Sequence, residues 1–281
     1  MLHHQRPPPS PINHKPVMMQ WHGLRLSLPD PSYFEFPPSP EPYPIPPPAP
    51  ESTLHAPPFQ IPESIFQAVL DVRVPITIAA AYAFTVPIIN RINKNRGNKP
   101  WAISKTRPFF WFVVAHNVFL AVYSAWTFIG MVGGLKRSLQ RPDASTGLVG
   151  TVDSLCKING VGGLGNAITY NQTTNSWTTH NPALHLAENG RPDPTDLGRI
   201  WNEGLAFYGW WFYLSKFYEV FDTVIILAKG KRSSTLQTYH HTGAMLCMWA
   251  GIRFMSPPIW MFVAWNSLIH AIMVSKFCGD R

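Results

Sequence analysis

Beyond about residue 63 the apolar side chains fall into five long runs separated by polar stretches. The first, Val72 to Ile89, reads VRVPITIAAAYAFTVPII and is close to the minimum of about 17 residues that a membrane-spanning helix needs. Pro75 and Pro87 are expected near its ends, where a helix tolerates them best. A second run extends from about Phe109 to Val132, opening on FFWF and carrying Trp126 as a further interfacial aromatic. A third covers roughly Ala206 to Leu227 and is rich in Trp and Tyr. The fourth is about His241 to Phe254 and the fifth about Ile259 to Val274, with Ser256-Pro257-Pro258 as the turn between them. This pattern predicts an all-α polytopic membrane protein with about five transmembrane helices.

The polar stretches orient the helices. Residues 90–108 hold Arg91, Lys94, Arg96, Lys99, Lys105 and Arg107 with no Asp or Glu, which predicts a cytosolic loop. Lys229, Lys231 and Arg232 after the third run, and Lys276 and Arg281 after the fifth, fall on the same predicted side. The N-terminus is then expected in the lumen and the C-terminus in the cytosol. The loop from about 133 to Arg199 is expected to be polar, irregular and lumenal. It contains the sequon Asn171-Gln-Thr173, a candidate glycosylation site, and Pro192-Asp193-Pro194. Its Gly160–Gly165 run, GVGGLG, has no strand before it or helix after it, so a dinucleotide site is not expected.

Composition sharpens two points. Residues 1–62 hold 19 of the 29 prolines, and a stretch so poor in backbone donors predicts a disordered or polyproline-like tail. The overall hydrophobic share of 46% and mean hydropathy of -0.03 therefore average two unlike parts. Three domains of the chain are expected: the Pro-rich tail 1–62, a helical membrane region 63–274, and an atypical tail 275–281. The opening MLHHQRPPPS lacks the apolar core of a signal peptide, so the first internal helix is expected to direct insertion. A net charge of +8 is distributed beside apolar runs, as topogenic charge is, and predicts no nucleic-acid partner. The cysteines, Cys156, Cys247 and Cys278, form no C-x-x-C pair and predict neither a disulfide scaffold nor a zinc ribbon. Cys247 is expected to be a small buried hydrophobe.

Ionisable groups at membrane depth are costly, which makes each a functional candidate. Three clusters qualify. Lys216, Glu219, Asp222 and Thr223 share or adjoin one helical face. Gln237, His240 and His241 follow on another face, bringing imidazoles able to serve as base or nucleophile near neutral pH. Asn266 and His270 are neighbours one helical turn apart in the last run. Taken singly, these would also suit an ion pair, two interfacial histidines and an interhelical hydrogen bond.

Taken in order, K-x-x-E-x-x-D-T, then Q-x-x-H-H, then N-x-x-x-H-x-x-M resemble the fatty-acid elongase (very-long-chain 3-oxoacyl-CoA synthase) family in its fungal form. Asn117, Leu120 and Ser124 in the second run add to that likeness, which covers about residues 65 to 274. There are departures. Gln237 stands where the family has the first histidine of H-x-x-H-H, and Val274-Ser275-Lys276-Phe277 replaces its aromatic ending. The family's seven helices imply that the chain is cut short at its C-terminus. Val-Ser-Lys can be encoded by GTG AGT AAG, a splice-donor sequence, so the last residues are expected to be translated intron. An exon continuing unbroken in the transcript would remove that explanation.

The resemblance implies an endoplasmic-reticulum enzyme that condenses acyl-CoA with malonyl-CoA, using both as substrates and needing no cofactor or metal. It implies that His240 and His270 carry or assist an acyl-imidazole, with His241 as base or positioning partner. Lys216, Glu219 and Asp222 would orient the histidines or the thioester, Thr223 and Gln237 would support them, and Asn266 would donate to an oxyanion. Lys229, Lys231 and Arg232 would attract CoA phosphates. The reductases and dehydratase of an elongation cycle are implied partners. Two alternatives stand beside this reading: a membrane di-iron desaturase or hydroxylase, whose larger histidine set is incomplete here, and a non-enzymatic transporter. A truncated and inactive product of an elongase gene is a third.

Overall fold

A computed structural model of the chain describes residues 19–21, 24–26, 58–142, 144, 147–157, 169–171, 174, 176–178, 186, 190 and 199–279, with the side chains of 19–21, 24–26, 169–170 and 273–279 outside it. The chain divides into two units, Met1–Pro42 and Tyr43–Arg281. In the first, β1 (Met19–Trp21) pairs antiparallel with β2 (Leu24–Leu26), Gln20 opposite Arg25. Val17 to Leu28 is free of proline, so its backbone keeps the donors a ladder needs. The rest of the expected tail, through 57, lies outside the described residues.

The second unit is helical. It runs α1 (Glu63–Val69), α2 (Arg73–Asn95), a 3-10 turn at Ala102–Lys105, α3 (Arg107–Ser138) and α4 (Gly147–Cys156). A ribbon of β3 (Thr169–Asn171) and β4 (Ser176–Thr178) follows, then a π-turn over Trp201–Leu205. The chain continues through α5 (Ala206–Tyr218), α6 (Val220–Ala228), α7 (Thr235–Arg253), a 3-10 turn at Pro257–Ile259 and α8 (Trp260–Gly279). Helices thus occupy all five apolar runs. α3 packs along α8, α2 against α7, and α7 against α5.

Local chemistry sets several boundaries. Thr106 caps α3 by accepting from the Phe109 N–H, with Pro108 in the first turn, where a missing donor costs least. Ser234 accepts from the Gln237 N–H to cap α7. Because α7 begins at Thr235, the histidine pair lies inside the helix and not at its start. α2 runs six residues beyond the expected end, so Pro87 sits within it. α3 continues to Ser138. The loop after it is not wholly irregular, since α4 and the β3–β4 ribbon form there. The third run is not one helix: α5 ends and α6 begins at Glu219.

Along α3 the buried positions His116, Leu120, Ser124, Thr127, Met131, Gly134 and Ser138 recur every three or four residues, a stripe turned to the other helices. Small residues in it permit close approach. A Cβ on Gly130 would lie within van der Waals contact of the buried Tyr208 ring, so that crossing requires glycine. The opposite faces are strongly apolar: Phe84 and Ile88 of α2 and Trp111 and Val122 of α3 are exposed, an arrangement that suits lipid better than water. Among the described residues, α2 and α3 are the helices long and apolar enough to cross a membrane. α5 and α6, of 13 and 9 residues, are each shorter than a single span needs. Cys247 is exposed, contrary to the expected burial, because the residues of α7 that face inward are Ala244, Met245 and Met248.

The two cation-rich loops meet at one end of the helices. Asn93 donates to the Leu227 carbonyl (2.8 Å), and the Trp101 indole N–H donates to Asn93 Oδ1 (2.7 Å). The Trp101 backbone N–H donates to the Ala228 carbonyl (2.9 Å). Asn90 both donates to the Ser233 carbonyl and accepts from its N–H. Residues 90–107 and 228–233 therefore share a side, as the charge pattern predicts. At the joint, Gly230 adopts φ +74, and a Cβ there would overlap the Asn98 carbonyl oxygen. Gly230→Ala is expected to lower stability by about 2–5 kcal/mol through left-handed strain and overpacking. An unchanged thermal midpoint of the detergent-solubilised variant would refute this. Elsewhere, Arg199 is fully buried and donates to the Asp153 carbonyl (2.6 Å) and carboxylate (3.1 Å), tying α4 to the π-turn. Burial pulls the Arg199 pKa down against the opposing pull of Asp153.

Candidate active site

Lys216, near the C-terminal end of α5, is buried with 1% exposure. Its ammonium donates to Glu219 Oε1 (2.5 Å) and to Asn266 Oδ1 of α8 (2.8 Å), and stands 3.8 Å from the centroid of the Phe212 ring. Ser215 also donates to Glu219 Oε1 (3.3 Å). Glu219 is the residue between α5 and α6, and its backbone stays near-helical (φ -62, ψ -13), so its side chain keeps the face of Ser215 and Lys216 one turn earlier. Its second oxygen lies 3.9 Å from Nδ1 of the buried His241. Both atoms are buried without a hydrogen-bond partner.

Three of the predicted clusters converge here. Asn266 is joined to Lys216, His241 faces Glu219, and His270 follows Asn266 by one turn of α8. His240 is exposed, with its ring 5.6 Å from that of His241. Since an ammonium has no acceptor, the atom of Asn266 facing Lys216 is its oxygen, which leaves the amide N–H2 as donor. Thr223, 1% exposed, joins the Tyr82 hydroxyl of α2 (2.8 Å) and accepts from Gln237 Nε2 (3.3 Å). Ser233 donates weakly to Gln237 Oε1 (3.4 Å). Gln237 is thus a polar bridge between α6 and α7. Asp222 accepts from His116 Nε2 (2.8 Å).

Other predicted residues lie apart from this cluster. Lys229, Lys231 and Arg232 are exposed on the loop after α6. Asn171 is exposed at the end of β3, opposite Ser176, and Thr173 of the sequon lies outside the described residues, as do the Gly160–Gly165 run and Pro192-Asp193-Pro194. Among the described residues no three His, Cys, Asp or Glu side chains are placed to hold a metal ion. Sequence reasoning missed Tyr82, Ser215 and His116. His116 carried a usable signal, an ionisable residue inside an apolar run. Tyr82 and Ser215 carried none, because both residue types are common in apolar helices.

Residues 67–277, most of the chain and all of the cluster, match the GNS1/SUR4 (ELO) family. The chain belongs to the GNS1/SUR4 family. Similar proteins include fatty acid elongase 2 of Trypanosoma brucei brucei, 37% identical over 82 residues, which are 29% of this chain and 30% of that protein. Very long chain fatty acid elongase 4 of Mus musculus is 37% identical over 71 residues, 24% of this chain and 23% of the relative. Fatty acid elongase A of Dictyostelium discoideum is 30% identical over 73 residues, 26% and 27% of the two chains. The matched stretch thus spans less than a third of each relative's length. No solved structure matches. Within the GNS1/SUR4 family, the buried Lys216–Glu219–Asn266 network and the neighbouring histidines form a candidate centre drawn from α5, α7 and α8.

Proposed function

We propose that this chain condenses a long-chain acyl-CoA with malonyl-CoA in the endoplasmic-reticulum membrane, giving 3-oxoacyl-CoA, CO2 and CoA, the first step of fatty-acid elongation. The observation that carries the reading is the buried Lys216–Glu219 pair with His241 facing Glu219 and Asn266 joined to Lys216, in a member of a family whose named relatives are fatty acid elongases.

The reaction divides into two transfers. A neutral imidazole of His240 or His270 attacks the acyl thioester carbonyl, the C–S bond breaks, and CoA leaves as the thiol with the imidazole proton. Malonyl-CoA then loses CO2, and the electron pair of the broken C–C bond becomes an enolate. The enolate carbon attacks the acyl-imidazole, a new C–C bond forms, the C–N bond breaks, and the departing imidazole takes up one proton from water, the proton that decarboxylation consumes overall. An acyl-imidazole suits this sequence because imidazole both attacks thioesters and departs readily. His241, held opposite Glu219, moves or orients the proton. The Asn266 amide, turned by Lys216, donates to the oxyanion. Asp222, Thr223 and Gln237 hold the neighbouring backbone and rings in place. The exposed Lys229, Lys231 and Arg232 attract the phosphates of CoA. The substrates supply all the reacting groups, so the scheme calls on no cofactor. The 3-oxo product requires reduction and dehydration, which makes enzymes of those classes the natural partners.

The test is to express the chain in membranes lacking endogenous elongases, with labelled malonyl-CoA and a panel of acyl-CoAs. Labelled 3-oxoacyl-CoA, with CO2 released in equal amount, is the expected result. Membranes that make none with any acyl-CoA, although the chain is inserted and folded, would overturn the proposal.

A further inference from the structure

His116 is the most enclosed imidazole among the described residues. It lies in the first half of α3, a hundred residues or more from the motifs of α5 to α8, with its side chain fully buried. Its ring is stacked near Phe112 at 6.0 Å and 26°, and is flanked by Tyr218 at 5.0 Å and Phe221 at 6.4 Å. Nδ1 faces these walls without a hydrogen-bond partner. Nε2 meets Asp222 Oδ1 at 2.8 Å. A carboxylate only accepts, so Nε2 carries the proton and donates. Burying an imidazole with one nitrogen unsatisfied is unfavourable for stability alone, and an apolar ring would fill the same slot. The arrangement makes sense if the bond to Asp222 serves that carboxylate.

Asp222 needs such a partner. It lies in the first turn of α6, just past the break at Glu219, with its side chain still 29% exposed, so nothing in its own helix fixes its rotamer. It stands one helical turn from Glu219, which holds Lys216 and faces His241, and next to Thr223, which accepts from Gln237 of α7, so the direction of its charge bears on that cluster. We infer that His116 is a positioning residue: its Nε2–H, held by the aromatic slot of α3, α5 and α6, locks the Asp222 carboxylate toward the histidine cluster. This rests on the condensation reading, since it assigns His116 a part in that reaction, but the contact stands independently of it.

Three variants of the full chain test the inference, each assayed as folded, monodisperse protein for acyl-CoA plus malonyl-CoA condensation. His116→Phe keeps the ring and loses the donor. It is expected to lower kcat by about 10- to 100-fold, the range for losing a hydrogen bond to a charged group, with KM for both substrates within about two-fold. His116→Gln places an amide N–H near the site of Nε2 and is expected to restore most of kcat. His116→Phe on an Asp222→Asn background is expected to cost no more than about two-fold further, because the two groups act as one unit. Equal losses in Phe and Gln variants, a rise in KM in place of the fall in kcat, or additive losses in the double variant would each overturn the positioning role. An inactive wild-type chain would instead overturn the condensation reading on which it rests.

Discussion

His240→Ala is expected to abolish condensation, with a loss of at least about a thousand-fold in kcat, the scale on which removing a covalent nucleophile acts. His240 is exposed and beside His241, so its removal opens no cavity and leaves no buried group unpaired. The variant should therefore fold like the parent, and a fall in activity reports chemistry and not collapse. His270 competes for the same role. Labelled acyl-CoA given without malonyl-CoA separates the two: the parent should retain label on protein that hydroxylamine releases, and the variant lacking the nucleophile should retain none. If His240→Ala keeps more than about a tenth of parental kcat, the acyl-imidazole at that position is refuted. If the label survives in His240→Ala and vanishes in His270→Ala, the two histidines exchange roles.

Glu219→Ala should have the largest effect on stability, about 3–5 kcal/mol. Lys216 is buried, and its charge is met by Glu219 at 2.5 Å. After the substitution only the neutral Asn266 oxygen and the Phe212 ring remain. A cation over a ring contributes about 0.5–2 kcal/mol, too little to offset an uncompensated buried ammonium. The thermal midpoint in detergent should fall sharply. Lys216→Met combined with Glu219→Leu removes both charges at nearly constant volume and should recover stability to within about 1–2 kcal/mol of the parent, since buried pairs are often no better than apolar replacements. That double variant should remain inactive. A Glu219→Ala chain as stable as the parent would mean that Lys216 is not the buried cation described here.

The predicted helices and the structure agree where length and apolarity decide, and differ where packing does. The five apolar runs all became helices because a long run of apolar side chains has few other ways to satisfy its backbone. The helix ends moved by up to six residues, as at Asn95, because capping and tertiary hydrogen bonds set the last turn. The interruption at Glu219 was invisible, since KFYEVFDT reads equally well as one continuous turn pattern. The helix α4 was missed because Gly147–Cys156 is short and lies in a stretch rich in polar residues.

The candidate site divides in the same way. The sequence by itself determined the inventory: which ionisable side chains lie in apolar surroundings, the order of the three motifs, and a charge pattern that sets the two basic loops on one side. It determined these because the cost of burying charge, and the bias of basic residues to one side of a membrane, act on residue type before any fold exists. Only the tertiary structure decided the pairings. That Lys216 meets Asn266 across 50 positions, that Thr223 bonds Tyr82 across 141, and that Asp222 is held by His116 across 106, follows from how α2, α3 and α8 cross α5 and α6. Helix crossings depend on summed packing over whole faces, and no local stretch of sequence records that sum.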